Sequence, residues 1–333
     1  MGKLRIGVAG LGIGKRHLVS YGGMEDVEIV AVADPRMDAA EAEAAKWGAA
    51  AYADGATMIR EAGLDAVSVC TPPALHLPLS CAAANAGVAV LCEKPMAPSV
   101  TDCSGMVEAC RSAGVTLMVA QKKRFHPLIR RMKEAAGGEL GPIRWAVCKY
   151  ALGRVPMDWF WDEADGGGPL LENSIHTVDM LRHLVGEVAT VYAAGGNLFN
   201  DDRAPQIDSA AVTLTFEGGA VAALGLGQAS EWSHAEERFY FACERGEAAI
   251  EGQFDCPTHW WQALRDGSKP NVDETVPPDD CFDAEIGHFL QCVRTGAEPL
   301  VSGEAARGSV AVCLAIKESI RTGQPVRPQS TAL

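Results

Sequence analysis

The first 120 residues alternate between two kinds of segment, and no other feature constrains the fold as strongly. Short Val-rich apolar runs occur at 4–10 (LRIGVAG), 27–34 (VEIVAVAD), 64–73 (LDAVSVCTPP), 88–95 (VAVLCEKP) and 115–121 (VTLMVAQ). Between several of them lie Ala-rich stretches of helical character: DAAEAEAAKWG, LHLPLSCAAANAG and VTDCSGMVEACRSAG. Each ends in the glycine that commonly follows a helix. Strands nearly continuous in apolar residues, alternating with helices, predict an α/β domain whose parallel sheet is covered on both faces.

The pattern changes after residue 123. GPIRWAVCKYALG (141–153) reads as a strand, and SAAVTLTFEGGAVAALGLGQA (209–229) as two strands around a Gly-Gly turn. ERFYFACERGEAAIEG repeats that form. Helices are expected over 171–185, 282–295 and 302–322, and 268–280 is the most loop-like segment. Hairpins with a few helices predict an α+β second domain. The expected division is 1–123 and 124–333, in keeping with about 150 residues per domain.

Bulk properties exclude several classes. The net charge of −14 argues against nucleic acid, which demands basic surface. No apolar run reaches the roughly 18 residues of a membrane span. The N-terminus runs straight into a strand without a signal peptide, so a cytoplasmic protein is expected. The 11 cysteines contain no C-x-x-C pair, which favours reduced thiols over a zinc ribbon.

The loop after the first strand, Gly10-Leu11-Gly12-Ile13-Gly14, lets the backbone approach a pyrophosphate at the following helix N-terminus. The full G-x-G-x-x-G spacing is not met, because Lys15 holds the third glycine position and Gly14 comes one residue early. Asp34 closes the second strand, where a carboxylate would accept the adenosine ribose hydroxyls. It would also repel a 2′-phosphate, so NAD is favoured, while Arg36 leaves NADP open. Thr71, Pro72 and His76 form a turn at the carboxyl edge of the sheet, where ligands of such sheets bind. His76 reads equally as a cofactor contact or a helix-surface histidine. At 93–95 an acid, a base and a proline end a buried strand, where charge is costly unless solvated, paired or used. Glu93 either balances Lys94 or reaches the ribose, and a cis Lys94–Pro95 bond is expected in so tight a turn.

DGGGPLLENSIHTVDML (165–181) carries the second chemical signal. On one helix, Glu172 and His176 would share a face, with Asp179 close to it. A carboxylate so placed fixes the imidazole tautomer, and such a histidine can take a proton from an alcohol. A solvated Glu–His pair is the plain alternative, and a metal site lacks further ligands. In KYALGRVPMDWFWDE (149–163), Tyr150, Trp159 and Trp161 suit the C–H faces and hydroxyls of a sugar, with Lys149, Arg154 and Asp158 as further polar groups. A core or interface cluster of aromatics is the alternative.

Taken together and in this order, GLGIGKRH, the AD at 33–34, CTPPALH, EKP and GGGPLLENSIH…D resemble the Gfo/Idh/MocA oxidoreductase family over nearly the whole chain. The resemblance implies a Rossmann domain followed by an α+β domain with a large, mainly antiparallel open sheet, through which subunits pair as dimers or tetramers. It implies an NAD(P)-dependent oxidoreductase acting on a sugar, cyclitol or polyol hydroxyl. Lys94 would lie by the nicotinamide and the substrate, Gln121 would be the amide near the nicotinamide, and Arg124 would anchor the domain junction. His176 would be the acid–base residue, and Glu172 stands where the family usually has Asp. An NAD-retaining glycosidase or lyase and a non-catalytic NAD-binding regulator are the alternatives.

Overall fold

The computed structural model describes residues 2–203, 205–228 and 234–329. Six short strands build the first sheet: β1 (Leu4–Ala9), β2 (Val27–Ala33), β3 (Ala50–Tyr52), β4 (Ala66–Val69), β5 (Ala89–Cys92) and β6 (Leu117–Val119). All pair in parallel, in the order β3-β2-β1-β4-β5-β6. Between them run α1 (Gly14–Gly22), α2 (Met37–Trp47), α3 (Gly55–Glu61), α4 (His76–Asn85) and α5 (Val100–Ala113). Ile6, Val8, Val32, Val67, Val90 and Leu91 are fully buried, which is why these strands read as continuous apolar runs rather than alternating ones. β3 was not expected, since AAY is too short and too weakly apolar to show a period. The strand order reverses direction between β1 and β4, and ligands of such sheets bind at the carboxyl ends beside that reversal.

The second sheet is reached through α6 (Pro127–Gly137). Its strands are β7 (Ile143–Ala151), β8 (Val188–Gly196), β9 (Ser209–Phe216), β10 (Val221–Gly227), β11 (Glu236–Cys243), β12 (Gly246–Gln253), β13 (Cys256–Leu264) and β14 (Val272–Thr275). Their order is β14-β13-β12-β11-β7-β10-β9-β8, antiparallel throughout except where β7 meets β10. β14 corrects the reading of 268–280 as loop: it is a short, charged edge strand that owes its form to pairing with β13 rather than to any apolar pattern of its own. Residue burial alternates along β9 and β10, so one face of the sheet is packed and the other open.

Three helices precede β8: α7 (Asp158–Trp161), α8 (Gly168–Glu172) and α9 (Ile175–Val185). The chain ends in α10 (Phe282–Thr295) and α11 (Gly303–Thr322), both close to the expected spans. Residues 2–121 together with 282–307 form one unit, and 122–281 with 308–329 the other. Residues 282–307, expected in the second domain, thus fold with the first. Phe282 meets His17 edge-on, and Asp283 takes a hydrogen bond from Ser20 at 2.5 Å.

Candidate active site

In the first unit the glycine turn makes a cradle. Gly10 has φ +93°, and a Cβ there would fall 2.4 Å from the Cys70 carbonyl oxygen. Nothing lies within 4 Å of where a Gly12 Cβ would stand, so the turn opens outward. A Cβ on Gly14 would sit 2.8 Å from Val8, so this residue allows the close approach of helix to strand that the third glycine of the full motif normally provides. Leu11 is buried, whereas Ile13 is exposed at the start of α1, which has no side-chain cap. Its first N–H groups are therefore directed at the cradle with the positive end of the helix.

Asp34 lies at the end of β2, buried, with its carboxylate accepting the Leu11 N–H at 3.0 Å. Arg36 grips both oxygens, Nε at 2.9 Å and Nη2 at 3.0 Å. That guanidinium holds the Asp34 carboxyl below its usual range. Thr71 Oγ1 and both polar atoms of the Gln121 amide are buried without a hydrogen-bond partner, at the carboxyl ends of β4 and β6. Buried polar atoms left in this way are expensive and suit a polar ligand. The open turn, the uncapped helix, Asp34 and these orphaned groups fit a dinucleotide.

His76 is fully buried, which removes the surface-histidine alternative. Its Nε2 lies 2.8 Å from the Thr71 carbonyl oxygen, and its Nδ1 3.1 and 3.2 Å from those of Pro95 and Met96. The ring ties the turn that follows Pro72 to the segment after Lys94. The Lys94–Pro95 bond is cis. Glu93 points inward: one oxygen is 3.0 Å from His17 Nε2 and the other accepts the Lys94 N–H at 3.1 Å. Burial alone would raise the Glu93 pKa; the His17 bond and the Lys94 charge outweigh it and leave the carboxyl lowered.

In the second unit the glycine run sets the start of α8. Gly167 and Gly168 both have φ +76°, and a Cβ on Gly168 would strike Gln206 at 2.2 Å. The helix expected over 171–185 is broken: α8 stops at Glu172 and α9 begins at Ile175. Asn173 and Ser174 fill the break, residues whose short polar side chains compete with helical hydrogen bonding. Glu172 and His176, both buried, therefore sit on two helices rather than on one face of a single helix. Asp179 is committed elsewhere, taking both arms of Arg124 at 2.7 and 2.8 Å and the Ser309 hydroxyl at 2.8 Å.

An acid that feels the charge of His176 has no counterpart among the residues singled out from the sequence. Asp255, at the β12–β13 turn, is a non-glycine residue at φ +68°. Its carboxylate bonds Lys122 at 2.5 Å and stands 3.8 Å from Lys123. Burial opposes its charge, but Lys123, Lys122 and His176 overcome that and hold its pKa at about 2. Lys123 also bonds both oxygens of the fully buried Glu237 at 2.5 Å, over the rings of Tyr150 and Phe239. The only sequence signal was the run of cations in QKKRF.

Tyr150 is buried, its hydroxyl without a hydrogen-bond partner and near the charges of Glu237, Asp255 and Glu172. Strand alternation puts Lys149 on the opposite, open face, where it pairs with Glu236. Arg154 pairs with Asp202 and Asp158 with Arg203. Trp159 is half-buried. Trp161 is corrected from substrate candidate to core residue, because it is buried and its indole N–H is spent on the Val155 carbonyl at 2.8 Å. Among the described residues no cluster of His, Cys, Asp or Glu is placed to hold a metal ion.

A parallel sheet of this order, with a glycine turn after β1 and an acid closing β2, defines a Rossmann dinucleotide-binding domain. The chain is of the class of nicotinamide-dependent oxidoreductases that join such a domain to an open-sheet domain. Residues 4–121 match the oxidoreductase family with NAD-binding Rossmann fold, and residues 129–249 match the GFO/IDH/MocA C-terminal domain. The chain belongs to the Gfo/Idh/MocA family. It is 30% identical to the D-apiose dehydrogenase of Paraburkholderia graminis, over 95% of this chain and 87% of that one. It is 28% identical to the myo-inositol 2-dehydrogenase of Thermotoga maritima, over 97% and 98% of the two chains. The crystal structure of the WlbA dehydrogenase from Bordetella pertussis, in complex with NADH and UDP-GlcNAcA, superposes with a TM-score of 0.86 at 26% identity, covering 98% of both chains.

Proposed function

We propose that this protein is an NAD(P)-dependent dehydrogenase that moves a hydride between nicotinamide and a hydroxyl-bearing carbon of a sugar, cyclitol or related polyol. The observation that carries the reading is Lys94 at the carboxyl end of β5, its neighbours braced on both sides, in the unit that holds the glycine cradle and Asp34. When bound, the nicotinamide supplies the hydride chemistry. This chain's own residues supply the rest. Gly10, Leu11, Gly12, Ile13 and Gly14 receive the pyrophosphate, Asp34 and Arg36 the ribose, and Thr71, Pro72 and Gln121 line the carboxyl edge. The Lys94 ammonium stabilises negative charge developing on the substrate oxygen. His176 accepts the hydroxyl proton at a ring nitrogen, with Asp255 and Glu172 supporting its charged form. Tyr150 and Trp159 are assigned to the substrate.

Asp34 favours NAD over NADP. The protein is assigned to the cytoplasm, and to homodimers or homotetramers built through the open face of the second sheet. The described residues include no helix long and apolar enough to cross a membrane. Absorbance at the NADH wavelength over a panel of inositols, aldoses and sugar acids tests the reading. Turnover with at least one member, reduced about 100-fold or more in Lys94→Ala and in His176→Ala, is expected from the usual size of acid–base and charge-stabilising effects. Cofactor binding without absorbance change on any member overturns it.

A further inference from the structure

Lys94 is preceded by a carboxylate and followed by two carbonyl groups, and a buried histidine holds each side. On the far side, His76 Nδ1 lies 3.1 and 3.2 Å from the Pro95 and Met96 carbonyl oxygens and Nε2 2.8 Å from the Thr71 carbonyl oxygen, and the one N–H of the neutral ring donates to one of these sides. On the near side, the polar line is longer. Tyr21 Oη lies 2.8 Å from Ser68 Oγ, Ser68 Oγ 3.1 Å from His17 Nδ1, and His17 Nε2 3.0 Å from Glu93 Oε1. The other Glu93 oxygen accepts the Lys94 N–H at 3.1 Å. Tyr21, Ser68, His17 and Glu93 are all buried, and the Phe282 ring closes on His17 edge-on at 5.5 Å.

Chemistry orders this line. An ionised carboxylate only accepts, so His17 Nε2 must carry the hydrogen that faces Glu93. In the neutral ring Nδ1 then accepts from Ser68, which in turn accepts from Tyr21. Burial pushes the Tyr21 phenol up, so it stays protonated and donates. With the ring neutral, every hydrogen in the line points toward Glu93, an arrangement in which successive bonds polarise one another. No step of hydride or proton transfer needs His17, yet the chain commits a fully buried histidine, a serine from β4 and a tyrosine from α1 to one carboxylate. Fixing the residue next in sequence explains that commitment.

We propose that His17 is a positioning residue for Lys94: through Glu93, and with His76 bracing the opposite side, it sets the direction and reach of the lysine ammonium. The proposal rests on the dehydrogenase reading for what Lys94 does, but not for how it is held. A misplacement of about 1 Å at a reacting group can cost about 100-fold in rate.

The test compares His17→Leu, which removes the bond to Glu93, with His17→Gln, whose amide N–H can restore it. A third variant, Ser68→Ala, keeps that bond and removes only the group behind it. Lys94 reactivity is read in the cofactor-free protein, by pulse acetylation with acetic anhydride at fixed pH and peptide mass mapping. NAD affinity is read by quenching of tryptophan fluorescence, and kcat and KM on an active polyol. His17→Leu is expected to change the Lys94 acetylation rate at least about fivefold and to lower kcat about 10- to 100-fold, with NAD affinity within about threefold. His17→Gln should recover most of both losses, and Ser68→Ala should move both in the same direction by a smaller factor. An unchanged acetylation rate in folded His17→Leu overturns the proposal, as does failure of a folded His17→Gln to differ from it. Should neither His17 variant fold, an unchanged rate in Ser68→Ala overturns it. The acetylation arm needs no substrate. A shifted rate in a protein that oxidises no polyol would sink the dehydrogenase reading and leave the brace standing.

Discussion

Asp34 shows how one residue can be read from spacing alone. It ends a Val-rich strand twenty residues beyond Gly14, and it is buried at that strand end and bonded to the Leu11 N–H. What spacing did not show is that Arg36 takes both of its oxygens. A ribose 2′-hydroxyl must share or displace that guanidinium, whereas a 2′-phosphate would meet the carboxylate's repulsion and the guanidinium's attraction together. Asp34→Ala is therefore expected to lower NAD affinity and to hold or raise NADP affinity through a freed Arg36, narrowing the NAD preference by about 10-fold or more, the worth of one charge-assisted contact. Dissociation constants for the two cofactors, measured by fluorescence quenching, decide it. An unchanged ratio moves cofactor choice to other residues.

At the scale of elements, legibility followed the range of the interactions. β1, β2, β4, β5 and β6 were visible because they are largely buried on both faces and so write apolar runs into their own sequence. β14 and β3 left no such trace, since their form depends on a neighbouring strand. The α8–α9 break and the β12–β13 tip were hidden for the same reason. Asp255 lies more than 130 residues from Lys122 and Lys123, and nothing local marks a half-buried, paired acid at a hairpin turn. That tip makes a pH-dependent prediction. Its folded pKa of about 2 lies below the ordinary carboxylate value, so the stability it contributes is fully present above about pH 4 and is lost as pH falls toward 2. A shift of that size corresponds to about 2 kcal/mol. Glu237 behaves oppositely, its pKa raised chiefly by burial, so falling pH relieves rather than removes stability there. Asp255→Asn should therefore be destabilising at pH 6 and approach the parent protein's stability by about pH 2.5. Urea unfolding across that range measures the difference; a deficit that does not change with pH would remove Asp255 as the ionised partner of Lys122 and Lys123.

At the scale of the whole molecule, the open face of the second sheet is the feature that a single chain does not account for. Trp145, Val147, Tyr192 and Val221 are between 39% and 47% exposed, high for such large apolar side chains. Register brings them together: Val221 pairs with Trp145, Ala223 with Val147, and Thr213 links Ala223 to Tyr192. Trp145 adds an edge-on contact with Tyr240 at 5.8 Å. A contiguous apolar stripe on a regular strand face is the kind of surface that soluble chains bury against a partner. A second copy of the same face supplies a flat, equally apolar match, and a two-fold axis lets each copy use the same residues. A stable interface buries about 1,600 Å² and draws most of its energy from a few aromatic anchors near its centre, each costing about 2 kcal/mol or more when lost. Trp145 and Val147 lie on β7, near the middle of the eight-strand order, and are the anchors such an interface would use. Trp145→Glu with Val147→Glu is expected to shift the sedimentation mass from a multiple of the 35.2 kDa chain to the single chain. Since both side chains face away from the packed side of the sheet, thermal unfolding of the separated subunit should remain cooperative. An oligomer of unchanged mass in the double variant would show that the stripe is not where subunits meet.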